Sequence, residues 1–365
     1  MRDSLPSSRQ GRGLSVAALR LDRATLRRTV ETLLVAAAGG LAFQFAGVPA
    51  GLISGSILAV AATALLGRDL GVPSGLGRII VVTVGIALGS VVTPQMLRGI
   101  GSYPASIAVL AVSTFAIMGA NWIYFRVVHR WDGLTALFGA SPGALAQVTV
   151  LTTESTADLG AVLIVQTVRV VVLTVALPSG LALFGLAGSV ARRVGAGGGS
   201  PIELGILVIV SALTAYLLSR LRFPGGWMFG AMLGSATLHG FGVVTHGLPW
   251  WVSSAAMLSL GALNGSRFAH INVRQLVSYL GAALGSLIVA LAVATVSVVL
   301  AANLVAVPPA DIVLAYSPGA QDTMMVLALA LNLDPVYVGA HHLTRFMLVS
   351  LAIPVLARFM RGPKS

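Results

Sequence analysis

The chain has 365 residues, of which 56% are apolar and 9% charged, against roughly 25% charge in a soluble domain. Its mean hydropathy of +0.93 and several runs near the ~20 apolar residues that cross a bilayer exclude a soluble globular domain, and the length of the runs excludes the short alternating segments of a membrane β-barrel. The lack of cysteine excludes disulfides, iron–sulfur clusters and thiolate zinc sites. The net charge of +12 does not imply nucleic acid, because no polar segment is long enough to form a DNA-binding domain.

Residues 1–28 are a basic N-terminal segment with seven arginines (Arg2, Arg9, Arg12, Arg20, Arg23, Arg27 and Arg28). Such a segment ahead of a first membrane helix stays cytoplasmic and can rest on anionic lipid. Its apolar residues are too scattered for a signal peptide. A first membrane repeat is expected over 29–191, with hydrophobic segments at 30–46, 50–66, 76–93, 104–125, 133–153 and 159–188. Residues 192–200, with Gly197-Gly198-Gly199, read as a linker. A second repeat is expected over 201–358, with segments at 204–219, 225–240, 250–266, 276–304, 310–331 and 336–357, and residues 359–365 form a basic tail.

The two repeats are read from a shift of 176 residues. Residues 141–178 align without a gap on 317–354, with 11 of 38 positions identical. Matched Asp158/Asp334, Arg169/Arg345 and Pro178/Pro354 weigh more than apolar identities, which are cheap in a membrane alphabet. Gly85 and Gly89 match Gly261 and Gly265 in the same way, and their spacing suits close helix packing.

The fifth segment of each repeat is broken by Ser-Pro-Gly-Ala: Ser141, Pro142, Gly143 and Ala144, then Ser317, Pro318, Gly319 and Ala320. It either crosses as a broken helix, giving six crossings per repeat, or enters and leaves on one side, giving five. With the N-terminus inside, five crossings place ten basic residues inside and three outside, and six place eight and five. The positive-inside rule therefore favours five. An odd number makes the repeats antiparallel, the inverted-repeat plan of many secondary transporters; a parallel arrangement stays open. The expected fold is an all-α polytopic membrane protein of 10–12 segments.

Ser141 and Ser317 are expected to N-cap half-helices that begin within the membrane, with proline at the first helical position. Such starts bind anions. Polar residues follow each break: Gln147 in the first repeat, Gln321 and Asp322 in the second. Arg169 and Arg345 lie roughly 15 Å into their segments, near the centre of a core about 30 Å thick. A central arginine faces protein or water and marks a functional position. Gln166 and His342, three residues earlier, share their faces. The competing reading pairs each arginine with an acid, Asp322 being the candidate for Arg345. Asp158 and Asp334 read as N-caps. His341 and His342 are adjacent rather than four apart, so they do not form a helix-borne metal pair, and neither metal nor cofactor is expected.

With "GASPGALAQVTVL", "AYSPGAQDTMMVLAL" and the later Q-x-x-R and H-x-x-R elements, the chain resembles the AbrB family of bacterial integral membrane proteins from about residue 35 to 358. That resemblance implies a plasma-membrane protein and brings two labels, ammonia monooxygenase and regulator of gene expression. It supplies no catalytic residues. The residues themselves point to a secondary transporter or exporter of a small anionic or zwitterionic solute. Its expected partners are the bilayer, the solute and a coupling proton or cation, with a homodimer left open.

Overall fold

The computed structural model describes residues 23–93, 96, 98, 101, 103–143, 148, 151–186 and 200–360, and the backbone alone of His270. The chain is helical throughout, with no strand among the described residues. The first round of helices is α1 (Arg23–Phe45), α2 (Gly51–Leu65), α3 (Ser74–Ser90), α4 (Tyr103–Val127), the short α5 (Gly133–Ala140) and α6 (Leu159–Leu183). The second is α7 (Pro201–Arg220), α8 (Gly226–Gly240), α9 (Trp250–Gly265), α10 (Val273–Ala302), the short α11 (Pro309–Tyr316) and α12 (Gln321–Ala330), and α13 (Pro335–Met360). The expected linker lies outside the described residues except for Ser200, which caps α7 through the Ile202 amide.

Among the described residues, five helices (α4, α6, α7, α10 and α13) are long and apolar enough to cross a membrane. Their outer faces are apolar too. Ile209 and Leu213 of α7 and Val277 and Ile288 of α10 are exposed, side chains that hydrocarbon solvates and water does not. Several polar residues are drawn inward, as in Ser54, whose hydroxyl donates to the Thr174 carbonyl at 2.9 Å. Ser235 does the same to the Ile86 carbonyl at 2.8 Å.

Between apolar helices, close packing supplies the cohesion that water exclusion cannot. It is visible where α3 meets α8. Gly85 and Gly89 lie on the Met228 and Met232 carbonyls, so closely that an added Cβ would overlap them. Gly261 of α9 lies as closely on the Ser56 side chain of α2, and Gly265 on the Ile57 carbonyl.

The short helices are set by local chemistry. Asp132 caps α5, accepting from the Leu134 and Thr135 amides at 3.0 Å each. Proline opens α11. Asp158 and Asp334 cap the long helices that follow, as the sequence suggests: Asp158 accepts from the Ala161 amide at 3.0 Å, and Asp334 from the Val336 and Tyr337 amides at 2.8 and 3.1 Å.

Candidate functional site

The two breaks corrects one sequence expectation. Ser317 does not N-cap the helix that follows it, and the residues that directly follow the first break lie outside the described ones. Each serine closes the half-helix before it: the Ser141 hydroxyl donates to the Leu137 carbonyl and the Ser317 hydroxyl to the Val313 carbonyl, both at 2.7 Å. The reason is that a helix ending away from water must satisfy its last carbonyls, and a serine turned back four residues does so. The proline that follows cannot continue the helix, so Ser-Pro-Gly acts as a stop. The next helix, α12, starts only at Gln321, behind an extended Ala320 that offers no side-chain bond. Gly143 is left-handed (φ +85°), and the Gly319 carbonyl lies 4.0 Å from where its Cβ would stand. The two breaks therefore meet. Ser141, Pro142, Ser317, Pro318 and Gly319 are buried at this junction, and Ala144 and Gln147 lie outside the described residues.

Arg169 and Arg345 are 2% and 1% exposed. Each reaches from its long helix to the break that precedes it. Arg169 Nη2 donates to the Ser141 carbonyl at 3.1 Å. Arg345 donates through Nη1 to the Ser317 carbonyl and through Nη2 to those of Tyr316 and Ala315, at 3.0 and 3.2 Å. One turn earlier, Gln166 Nε2 donates to the Phe138 carbonyl at 3.0 Å and His342 Nε2 to the Leu314 carbonyl at 3.1 Å. Each long helix is thus stapled to the C-terminal end of a half-helix, and these carbonyls carry about half a negative charge to receive a guanidinium.

Asp322 does not pair with Arg345. It faces Arg267, near enough for the two charges to act on each other. Carbonyl oxygens take the place of the expected acid because the end of α11 presents three of them to a single guanidinium. The Nε of both arginines has no hydrogen-bond partner among the described residues. The two guanidinium groups also feel each other's charge. The site therefore holds two buried cations, with donors to spare and no hydrogen bond or ion pair to a carboxylate shown among the described residues. Gln321 is buried at the start of α12, and Asn264 of α9 pins the same turn by donating to Thr323 at 3.2 Å.

Residue-by-residue reading missed a second polar group beside Arg345. Ser106 of α4, Tyr316 of α11 and Tyr337 and His341 of α13 converge with almost no exposure. A usable signal was present in the sequence: at a shift of 176 residues, Tyr316, Tyr337 and His341 oppose Ala140, Ala161 and Val165. Among the described residues, two cavities lie away from Arg169 and Arg345. One, of about 650 Å³, is lined by Ser90, Trp250, Ser253 and Met257. The other, of about 370 Å³, is lined by Arg28, Ser266 and Arg267. No group of three or more His, Asp or Glu side chains among the described residues could hold a metal ion.

These features define a helical protein of membrane type, with interrupted segments that meet at buried arginines. The chain belongs to the AbrB family: the family described as "Transition state regulatory protein AbrB" matches residues 52–361. YhjN of Bacillus subtilis (strain 168), an uncharacterized protein, is 25% identical over 359 residues, covering 89% of this chain and 91% of YhjN. AbrB of Escherichia coli (strain K12), whose name puts it forward as a regulator, is 25% identical over 319 residues, covering 86% of this chain and 90% of that one.

Proposed function

We propose that this protein is a secondary transporter or exporter of the bacterial plasma membrane that moves a small anionic or zwitterionic solute. In this reading it arose by internal duplication, its repeats lie antiparallel with the N-terminus cytoplasmic, and the solute binds where the two breaks meet. The observation that carries the reading is the pair of buried arginines at facing breaks, each keeping an unpartnered Nε. Irregular backbone at membrane depth persists where it is enclosed by protein or lines a watery path, and two cations held without a carboxylate favour an anion between them. Matched staples support the duplication. Gln166 and His342, and Arg169 and Arg345, each reach a carbonyl 28 residues back. Regulation of gene expression follows indirectly in this reading, because moving a metabolite changes its internal pool.

The first test is a screen of charge movement on supported membranes, with jumps of phosphate, sulfate, succinate, glutamate and taurine. At least one should give a current that Arg169→Lys and Arg345→Lys remove while both variants still insert. Normal currents in both variants refute the site. Topology is tested separately. The chain has no cysteine, so Gly198→Cys supplies one thiol for a membrane-impermeant maleimide. Labelling in intact cells supports antiparallel repeats, and labelling only after lysis refutes them.

A further inference from the structure

We infer that His341 is a proton-binding site, fed through Tyr337 and Ser106, and that its proton and an anion at the arginines bind cooperatively. The inference deepens the proposed function and rests on it for the anion.

The direction of the hydrogen bonds carries the argument. His341 Nδ1 lies 2.8 Å from the Tyr337 carbonyl, which can only accept. Nδ1 therefore carries the hydrogen, and the neutral ring leaves Nε2 as the acceptor. Nε2 is 2.7 Å from the Ser106 hydroxyl, which donates to it. The Ser106 oxygen is then free to accept, and Tyr337 OH is 2.5 Å away. Tyr316 OH is committed elsewhere, to the Ser106 carbonyl at 2.6 Å. The bonds thus run one way, from Tyr337 to Ser106 to the basic nitrogen of His341.

The outer end of this line holds two carboxylates. Asp311 Oδ1 accepts from the Asp334 amide at 2.6 Å, and the charges of both act on Tyr337. The Tyr103 hydroxyl donates to the Met96 carbonyl at 3.5 Å, and its ring meets that of Tyr337 edge-on at 5.1 Å. Transfer balances as follows. A hydronium arriving from the side of the two carboxylates gives its proton to the Tyr337 oxygen, the Tyr337 proton passes to Ser106, and the Ser106 proton forms the Nε2–H bond of His341. The hydronium ends as water, His341 as imidazolium, and both hydroxyls are restored.

The inner end explains the coupling. His341 is close enough to Arg345 for their charges to interact, so its proton adds a third positive charge beside the arginine pair. A bound anion relieves that repulsion, and by linkage the proton tightens the anion by the same factor. The titratable groups that face His341 are Tyr103 from α4, Tyr316 from α11, and Tyr337, His342 and Arg345 from α13. Asp322 of α12 is turned to Arg267. In the first round of helices Thr135, Ala140, Ala161 and Val165 stand at the positions of Asp311, Tyr316, Tyr337 and His341, so the line exists once.

The test is nitrogen NMR of the full chain in lipid nanodiscs with labelled histidine, His341 being assigned by loss of its signal in His341→Gln. His341 should take up a proton as pH falls, and its midpoint should rise by about one pH unit, tenfold in affinity, with bound sulfate or succinate. Arg169→Gln, which removes one repelling charge, should raise the midpoint with no anion present. Tyr337→Phe keeps the ring and should slow exchange of the Nε2 proton. A ring that stays neutral to the pH of unfolding, in both the wild type and Arg169→Gln, overturns the proton site. Unchanged exchange in Tyr337→Phe overturns the route. A midpoint indifferent to sulfate that calorimetry shows to be bound overturns the coupling and leaves the transporter reading standing. If His341 titrates and no anion binds, the anion site fails, and the coupling fails with it.

Discussion

Arg345→Met tests what holds the second break together. Methionine keeps most of the bulk and removes every donor. The guanidinium donates to three carbonyls, those of Ala315, Tyr316 and Ser317, all at a helix end away from water. A hydrogen bond to a charged group contributes about 1.5–3 kcal/mol, so three amount to roughly 4.5–9 kcal/mol. Relief from burying the charge returns several kcal/mol of that. A net loss of about 3 kcal/mol is expected, over a hundredfold in the folded-to-unfolded ratio. Arg345→Lys keeps the charge as a compact ammonium that cannot span all three oxygens, and should fall between methionine and wild type. The assay is equilibrium unfolding in mixed micelles by titrated dodecyl sulfate, read by tryptophan fluorescence. A methionine variant that unfolds at the wild-type detergent fraction refutes the reasoning, because the carbonyls would then not depend on the arginine.

Other positions give smaller or differently placed effects. Gly85→Ala and Gly261→Ala each drive a methyl into the facing helix and should each cost about 1–3 kcal/mol, checked by thermal unfolding in detergent; a silent Gly85→Ala would mean that α3 and α8 are not in close contact. Asp158→Ala removes the cap of α6 and the 2.6 Å bond from Tyr279 and should cost about 1–2 kcal/mol, whereas Asp158→Asn, which still caps, should cost less in the same assay. Ser54→Ala deletes one buried hydroxyl bond between helices and should cost about 0.6 kcal/mol, near the average for such bonds in membrane proteins.

Much of the fold was legible because the bilayer constrains it so tightly. Hydropathy alone located the long helices, since only a helix satisfies its backbone there. The start of α6 at Leu159, the caps at Asp158 and Asp334 and the close packing at Gly85 and Gly261 were readable from local rules. The direction of Ser-Pro-Gly was not. The same three residues suit a helix start and a helix stop, and only the neighbours decide which, here the Leu137 and Val313 carbonyls. The partners of the arginines were hidden for a similar reason. A search for acids looks at side chains, and backbone oxygens carry no letter in a sequence. The Ser106 cluster was hidden because its members come from three helices, Ser106 lying more than 200 residues from the other three.

In the proposed cycle, what the two rounds share and where they differ have separate roles. Alternating access by an inverted repeat needs two arrangements close in free energy, so that one repeat can adopt what the other has just left. The shared features suit that need: a serine stop, a polar staple and an arginine on each break, bonded over the same intervals. Features that the two rounds share cannot by themselves couple the change to a proton, because a ligand shifts an equilibrium only by its differential affinity for the two states. Asp311, Tyr316, Tyr337 and His341, against Thr135, Ala140, Ala161 and Val165, make the rounds unequal, and they do so with groups that carry or pass a proton. Arg267 and Asp322, against Val91 and Ala146, add a second inequality. Replacing the second-round residues of the proton line with their first-round counterparts should therefore leave the helices folded and abolish the dependence of transport on a pH gradient, while exchange of solute for solute continues.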